Sequence, residues 1–245
     1  MTKISVVLAV FNEEKILRDC LESVRGLAWE IIVVDGGSND KTLEIANRFN
    51  ARVIKTNNPP NFHINKNIAI NAARGEWILQ LDADEIITPE LMKEIKKAVN
   101  FGLDGFWIPR KNFFLGRYLT KGGQYPDYTL RLYRRGLGKL PAKDVHEQAE
   151  VNGKVGYLKN DLLHLRDKNF SNYMERFNRY TDLLSTQIIN PNFVDYLFVK
   201  PIFWFIKSYI RHRGYVDGFP GFVFALFSAL RFPIAFVKHS VKNKQ

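Results

Sequence analysis

Glu76-Trp77-Ile78-Leu79-Gln80-Leu81 runs directly into Asp82-Ala83-Asp84-Glu85, an apolar segment that ends on three carboxylates. A short continuous apolar run of this kind reads as a buried strand, and the carboxylates stand where it emerges into solvent. Side chains alternate along an extended chain. Asp82 and Asp84 therefore share a face if the strand continues through them, whereas a turn beginning at Ala83 fans them apart. Either geometry offers hard oxygen ligands to Mg2+ or Mn2+, ions that take a carboxylate or two and fill their shell with water and substrate phosphates. A plainer reading also exists. Asp84 and Glu85 could serve the start of a helix from about Thr88 to Val99, with Pro89 at its first position.

Outward from this stretch, strands and helices alternate, the pattern of a parallel sheet with helices on its faces. Strands are predicted near residues 4–10, 30–34, 52–55, 76–81 and 104–109, and helices near 13–25, 40–49, 63–73 and 88–99. The chain begins almost at once with Ile4-Ser5-Val6-Val7-Leu8-Ala9-Val10, which reads as a first strand rather than an export signal. Past Arg110 the alternation breaks down. Cys20 is the only cysteine among 245 residues, so no internal disulfide can form, a reducing compartment is expected, and the thiol is predicted to pack as a small apolar group.

Charge is unevenly distributed. From Tyr196 onward five lysines and three arginines face a single acid, Asp217, giving +7 of the total +11, and nine of the nineteen phenylalanines lie in the same segment. Cations interleaved with rings can bind single-stranded nucleic acid. Here, however, dense apolar blocks (Phe198 to Tyr209, Phe219 to Leu230) are flanked by Lys200, Lys207, Arg211, Arg213, Arg231 and Lys238. That is the build of a membrane-surface segment, and no nucleic-acid partner is expected. The longest uncharged run, Gly218 to Leu230, falls short of the roughly 20 residues a spanning helix needs, so peripheral, monotopic attachment is the expectation. A helical hairpin packed on the protein's own core, or in a dimer interface, would account for the same composition.

Ligands of open α/β sheets bind beyond the carboxyl ends of the strands, and three such ends carry unusual chemistry. The first gives Phe11-Asn12-Glu13-Glu14. The second gives Asp35-Gly36-Gly37-Ser38-Asn39-Asp40, which is neither a phosphate loop nor a dinucleotide fingerprint. Its carboxylate and glycines could grip a base or ribose, or simply form a tight turn whose Ser38, Asn39 or Asp40 caps the next helix. The third is the aspartate pair. Taken in order, with Lys66-Asn67 and Ala73-Arg74-Gly75-Glu76 between them, these segments resemble glycosyltransferase family 2 over roughly residues 3–100. Leu130-Arg131-Leu132-Tyr133-Arg134-Arg135, Val145-His146-Glu147 and Arg213-Gly214-Tyr215-Val216-Asp217-Gly218 resemble, more loosely, the bacterial branch with lipopolysaccharide core β-glucosyltransferases.

The resemblance implies a Rossmann-like, A-type glycosyltransferase fold with a mostly parallel sheet, a nucleotide-diphosphate sugar as donor (UDP-hexose as the prior) and inversion at the anomeric carbon. By position, Asp35 would contact the base, Asp82 the ribose and Asp84 the divalent ion. Val10, Asn12 and Glu13 lie at the strand end that meets the nucleoside. Lys66 stands where the family usually has arginine and would meet phosphate as a point charge. One face of the Arg131 and Arg134 segment could meet phosphate too. One-step inversion needs a base near the acceptor hydroxyl, for which Glu147 is preferred and Asp127 is second. Either could instead be ion-paired to the arginines at 131, 134 and 135. His164, a lone histidine among leucines, could complete the metal shell with Asp84 and Asp82, or be a hydrogen-bonded core residue.

This reading divides the chain into a catalytic domain, 1–190 (donor half 1–100, acceptor half 101–190), and a membrane-associating helical segment, 191–245. A single sugar would pass to a membrane-linked glycan or lipid, such as a lipopolysaccharide core, by a cytoplasmic enzyme on the inner face of the cell membrane. Two rival readings are a sugar nucleotidyltransferase, which should carry a glycine-rich basic loop after its first strand, and a non-catalytic basic membrane or nucleic-acid binding protein.

Overall fold

The computed structural model describes residues 2–59, 61–141, 148–167, 169–189 and 191–242. Two compact units emerge, each discontinuous in sequence: Met1–Arg110 with Asp127–His164, and Lys111–Pro126 with Leu165–Gln245.

The first unit opens with β1 (Ile4–Val10), α1 (Leu17–Ser23), β2 (Glu30–Asp35), α2 (Thr42–Arg48), β3 (Arg52–Lys55), α3 (His63–Ala72) and β4 (Trp77–Gln80). Strands β3, β2, β1 and β4 lie side by side and parallel, with Val10 registered on Asp35 and Val7 on Gln80. Successive residues of β1 and β4 face opposite layers. Val6, Leu8, Trp77 and Leu79 join Leu17 and Leu21 in one core, and Val7 and Ile78 join Ala69 and Ile70 in the other. At the entry to β4 the backbone comes so close that a Cβ on Gly75 would sit 2.7 Å from the Lys3 carbonyl.

Beyond β4 come β5 (Glu85–Ile87), α4 (Pro89–Ala98) and β6 (Gly105–Phe114). Helix α4 starts as the sequence predicts, but its cap is Thr88, whose hydroxyl accepts from the Leu91 amide at 3.1 Å. Asp84 and Glu85 do not cap it, because Glu85 already belongs to β5. After β7 (Arg117–Tyr118), the chain forms β8 (Asp127–Arg134), β9 (Gly138–Lys139), β10 (Glu150–Val151), β11 (Val155–Tyr157) and β12 (Leu162–Asp167). The sheet changes character here. β8 runs antiparallel to β4, β6 runs antiparallel to β8 with Arg110 opposite Asp127, and β12 runs antiparallel to β5 with His164 opposite Glu85.

The second unit begins with a hairpin of β6 and β7, turned by Leu115 and Gly116 in left-handed conformation. It continues with α5 (Phe170–Thr186), α6 (Lys200–Phe205), flanked by π-helical turns Asp195–Val199 and Ile206–Arg211, and α7 (Gly218–Lys242). Helix α7 lies between the other two. Phe227 packs edge-on to Tyr173 and Phe177 of α5, while Phe232 and Phe236 meet Trp204 and Tyr196.

The helix continues past the uncharged run that ends at Leu230: the Arg231 guanidinium lies 4.4 Å from the Trp204 ring centroid and 4.7 Å from that of Phe232, and the helix runs on to Lys242. By length and composition alone, the segment Gly214–Lys242 is long and apolar enough to cross a membrane. Run length therefore gives no ground against spanning.

Candidate active site

The site lies in the first unit, along the edge where β1, β2 and β4 end. Because these strands are parallel and in register, Val10, Asp35 and the 82–85 turn are neighbours on one edge, about 5 Å from strand to strand.

The first two strand ends are laced together. Asp35 is buried and accepts from the Gly37 and Ser38 amides at 3.1 Å and from the Ser38 hydroxyl at 2.5 Å. Gly37 has the left-handed φ of +90° that this tight turn requires. Ser38 Oγ in turn accepts the Asn12 amide at 2.8 Å, and Asn12 Oδ1 accepts the Asn39 amide at 2.9 Å. The Glu13 amide donates to Thr42 Oγ1 and the Glu14 amide to Asp40. Asp40 also accepts the Thr42 amide, so it is the residue that serves the start of α2. Burial works to raise the Asp40 pKa, but the bonds from Thr42 and Glu14 outweigh it and hold the carboxyl below its ordinary range. The turn reading of this loop is thus realised, and it leaves Asp35 oriented beside Val10.

At the third end the chain turns at Ala83 and Asp84, and the two aspartates fan apart. Asp82 is gripped by two cations. Lys66 Nζ contacts one oxygen, and Arg131 Nη2 is 2.5 Å from the other. The same Arg131 nitrogen is 2.7 Å from Glu85 Oε1, and Glu85 Oε2 accepts the Asp82 amide at 2.9 Å. Burial pushes Asp82 upward, yet Arg131 and Lys66 prevail and keep it well below the usual carboxylate range. Lys66 is itself lowered by burial, with Asp82 opposing and Arg131 adding to the effect.

Asp84 turns the other way, where His164 Nε2 lies 3.2 Å from its Oδ2. Pairing of β12 with β5 brings His164 there. A carboxylate and an imidazole at this spacing suit an ion such as Mn2+ that draws its remaining ligands from water and phosphate. Among the described residues no group of three or more His, Cys, Asp or Glu is placed to hold a metal ion. Asp82 would have to release Lys66 or Arg131 before it could ligate.

Other predicted residues fall elsewhere. Asp127 is ion-paired, but to Arg110 on the adjacent strand (Nη2 at 2.7 Å, Nε at 2.9 Å) rather than to the arginines near it in sequence. Arg134 is at the far end of β8, opposite Trp77, with its guanidinium 5.0 Å from that ring and 3.5 Å from Asp104. It lies three positions beyond Arg131, where β8 shifts register against β6, and is not part of the cluster. Glu147 lies outside the described residues. Glu85 and Arg110 were missed. Glu85 is fully buried and joined to Arg131, with Arg110 3.6 Å away. Its place directly after Asp-Ala-Asp was the available signal. Cys20 is buried among apolar side chains as expected, and burial, followed by the nearby carboxylates, pushes its thiol well above the usual range.

The sequence model described as Glycosyl transferase family 2 matches residues 5–149. Over 98% of its length this chain is 27% identical to a lipopolysaccharide core biosynthesis glycosyltransferase, LpsC, of Rhizobium meliloti, covering 94% of that protein. It is 26% identical to an uncharacterised glycosyltransferase of Rickettsia typhi over 91% of this chain and 82% of that one. Among solved structures, S. aureus TarS 1-349 superposes with a TM-score of 0.52 at 17% identity, covering 99% of this chain and 92% of that one, and the likeness is one of fold.

Proposed function

The chain belongs to glycosyl transferase family 2 and has its A-type fold, and from that premise we propose that it is an inverting, metal-dependent hexosyltransferase. Its donor would be a nucleotide-diphosphate sugar, UDP-hexose first. Its acceptor would be a membrane-associated glycan or glycolipid, of which a lipopolysaccharide core is the favoured case. The observation that carries this reading is the division of labour after β4: Asp84 set against His164, and Asp82 locked between Lys66 and Arg131. Likeness to LpsC over nearly the whole chain supports the acceptor class.

Asp35, with Val10, Asn12 and Glu13 on the adjoining loop, would receive the nucleoside, and Asp82 the ribose. Asp84 and His164 would hold Mg2+ or Mn2+, which when bound neutralises charge on the departing diphosphate. Lys66 and Arg131 supply fixed positive charge next to that position, pre-oriented by Asp82 and Glu85, so little reorganisation is needed as charge develops. A base must take the acceptor proton on the opposite side of the sugar. Glu147 is assigned that role ahead of Asp127, whose carboxylate is already engaged by two hydrogen bonds from Arg110. Residues 1–190 would be catalytic, and 191–245 would place the enzyme on the cytoplasmic face of the cell membrane.

Family membership displaces the sugar nucleotidyltransferase alternative, and the assembled carboxylate and cation cluster weighs against a purely binding role. The test is release of labelled glucose from UDP-glucose with Mn2+, its loss on chelation and its loss in Asp84→Ala. A thermal-shift screen of UDP-, GDP- and dTDP-sugars would rank donors, since selective binding raises apparent stability. No turnover and no shift with any of them would sink the proposal.

A further inference from the structure

Helix α7 is the most apolar segment of the second unit, yet its apolar side chains are largely used. Val223, Ala225, Ala229, Phe232 and Ala235 are buried, and the helix is fixed to α5 by Lys238, whose Nζ is 2.6 Å from Asn178 Oδ1, and by His239, 2.9 Å from the Ser185 carbonyl. The rod formed by residues 195–211 is different. On the side away from Tyr196, Trp204 and Ser208 it exposes, in line with Val194 just before it, Phe198, Ile202, Ile206 and Ile210, with Ile202 58% and Ile210 57% accessible.

These five residues are spaced by four. In a uniform α-helix such a row drifts about 40° per step and would wander some 160° around the axis. Wider π turns drift in the opposite sense, and they occupy both ends of this rod. The row is thereby kept to one side. A straight, exposed apolar stripe five residues long is not needed for packing, since the opposite side of the rod already meets α7 through Trp204 and Tyr196.

The charges around the stripe indicate its occupant. Lys200 and Lys207 lie over the Tyr196 and Trp204 rings, 3.5 and 4.3 Å from their centroids, and Arg211 and Arg213 follow at the exposed end. Between residues 191 and 242 there are two acids. Asp195 is paired with Lys200 at 2.7 Å, and Asp217 is fully buried. Apolar stripe and uncompensated cations together match a bilayer whose headgroups are anionic.

Resting on the membrane attachment proposed above, we infer that the rod 195–211 is the lipid-facing element: it lies in the plane of the interface with Phe198, Ile202, Ile206 and Ile210 in the acyl boundary, and α7 is its packed support rather than a spanning helix. The full-length protein is tested by sedimentation with phosphatidylcholine vesicles containing or lacking phosphatidylglycerol, with circular dichroism and thermal melting as controls for folding. Ile202→Glu with Ile206→Glu should lower the partition coefficient at least ten-fold at unchanged Tm, because each withdraws a large apolar side chain from lipid. Val237→Glu, at an exposed position of α7, should change it less than two-fold. Lys207→Gln with Arg211→Gln should reduce binding to the anionic vesicles alone. The assignment is overturned if the isoleucine pair leaves partition intact while Val237→Glu abolishes it, an outcome that keeps membrane attachment but moves the face. It is equally overturned if the isoleucine pair dissociates a dimer and vesicle binding is absent, which makes a second copy the occupant. Absence of wild-type binding to either vesicle removes the attachment reading itself.

Discussion

His164 Nε2 stands 3.2 Å from Asp84 Oδ2 because β12 pairs with β5 in a register that sets His164 opposite Glu85. The contact joins a residue late in the first unit to the turn after β4. If the pair holds the divalent ion, His164→Gln should weaken Mn2+ dependence more than it weakens folding. We expect turnover to fall about 100-fold or more at fixed Mn2+, in the range seen when an electrostatic stabiliser of a transition state is removed. Higher Mn2+ should recover part of the loss, whereas Asp84→Asn should not be recoverable. Metal titration of activity alongside thermal melting checks this, and an unchanged Mn2+ half-saturation in His164→Gln would show that the histidine is only structural.

Arg131 supports two carboxylates at once, and Glu85 has no route to solvent. Deleting one partner of a buried ionic group typically costs about 3–5 kcal/mol. Arg131→Met should therefore destabilise the protein by roughly that amount, and Arg131→Lys by less, since an ammonium keeps the charge but cannot span both oxygens as a fixed fork. Urea denaturation gives the difference. A loss below about 1 kcal/mol for Arg131→Met would mean that Arg110, 3.6 Å from Glu85, suffices as its counter-charge.

Asp82 makes a prediction with a definite sign. Its folded-state pKa is depressed by Arg131 and Lys66, so the stabilisation is present above the unfolded value of about 3.9 and is lost as pH falls through the lower folded value. Wild-type stability should drop on acidification below about pH 4, and Asp82→Asn, which cannot take up that proton, should show a shallower dependence in the same range. Denaturation curves from pH 6 downward compare the two. Parallel slopes would exclude Asp82 as a source of acid sensitivity.

How much of this was readable beforehand depends on what kind of contact was involved. The edge carrying Val10, Asp35 and Asp82 was legible because parallel strands announce themselves by apolar runs that end in polar loops. Glu85 and Arg110 were not, since their roles arise from antiparallel neighbours, β8 and β12, whose pairing no local pattern encodes. Arg131 and Arg134 looked equivalent on paper. A register shift of β8 at Arg131 and their different places along the strand separate them, one meeting Asp82 and the other Trp77. Arg231 misled for a related reason: a charge ends an apolar run in sequence, whereas in the fold its guanidinium is accommodated on aromatic rings.

The Arg213-to-Gly218 segment, noted in sequence without a task, has a structural one inside the second unit. Asp217 is fully buried and accepts from the Thr120 amide at 3.0 Å, the Thr120 hydroxyl at 2.7 Å and the Lys121 amide at 2.8 Å, with Arg117 3.7 Å away. Nearby, the Gly122 amide donates to the His212 carbonyl at 2.9 Å. One carboxylate thus holds the loop that follows the β6–β7 hairpin. Asp217→Ala strands two amides and a hydroxyl in a buried place, each costing about 1–3 kcal/mol, so this variant should be severely destabilised. Asp217→Asn should be intermediate, because its amide group turns a donor toward donors. Thr120→Val, which removes a single bond, should cost about 1 kcal/mol. Tryptic cleavage after Lys121 reads the same order kinetically: fastest in Asp217→Ala, then Asp217→Asn, then Thr120→Val, all faster than wild type. If Asp217→Ala were cut at the wild-type rate, the carboxylate would not be what fixes this loop.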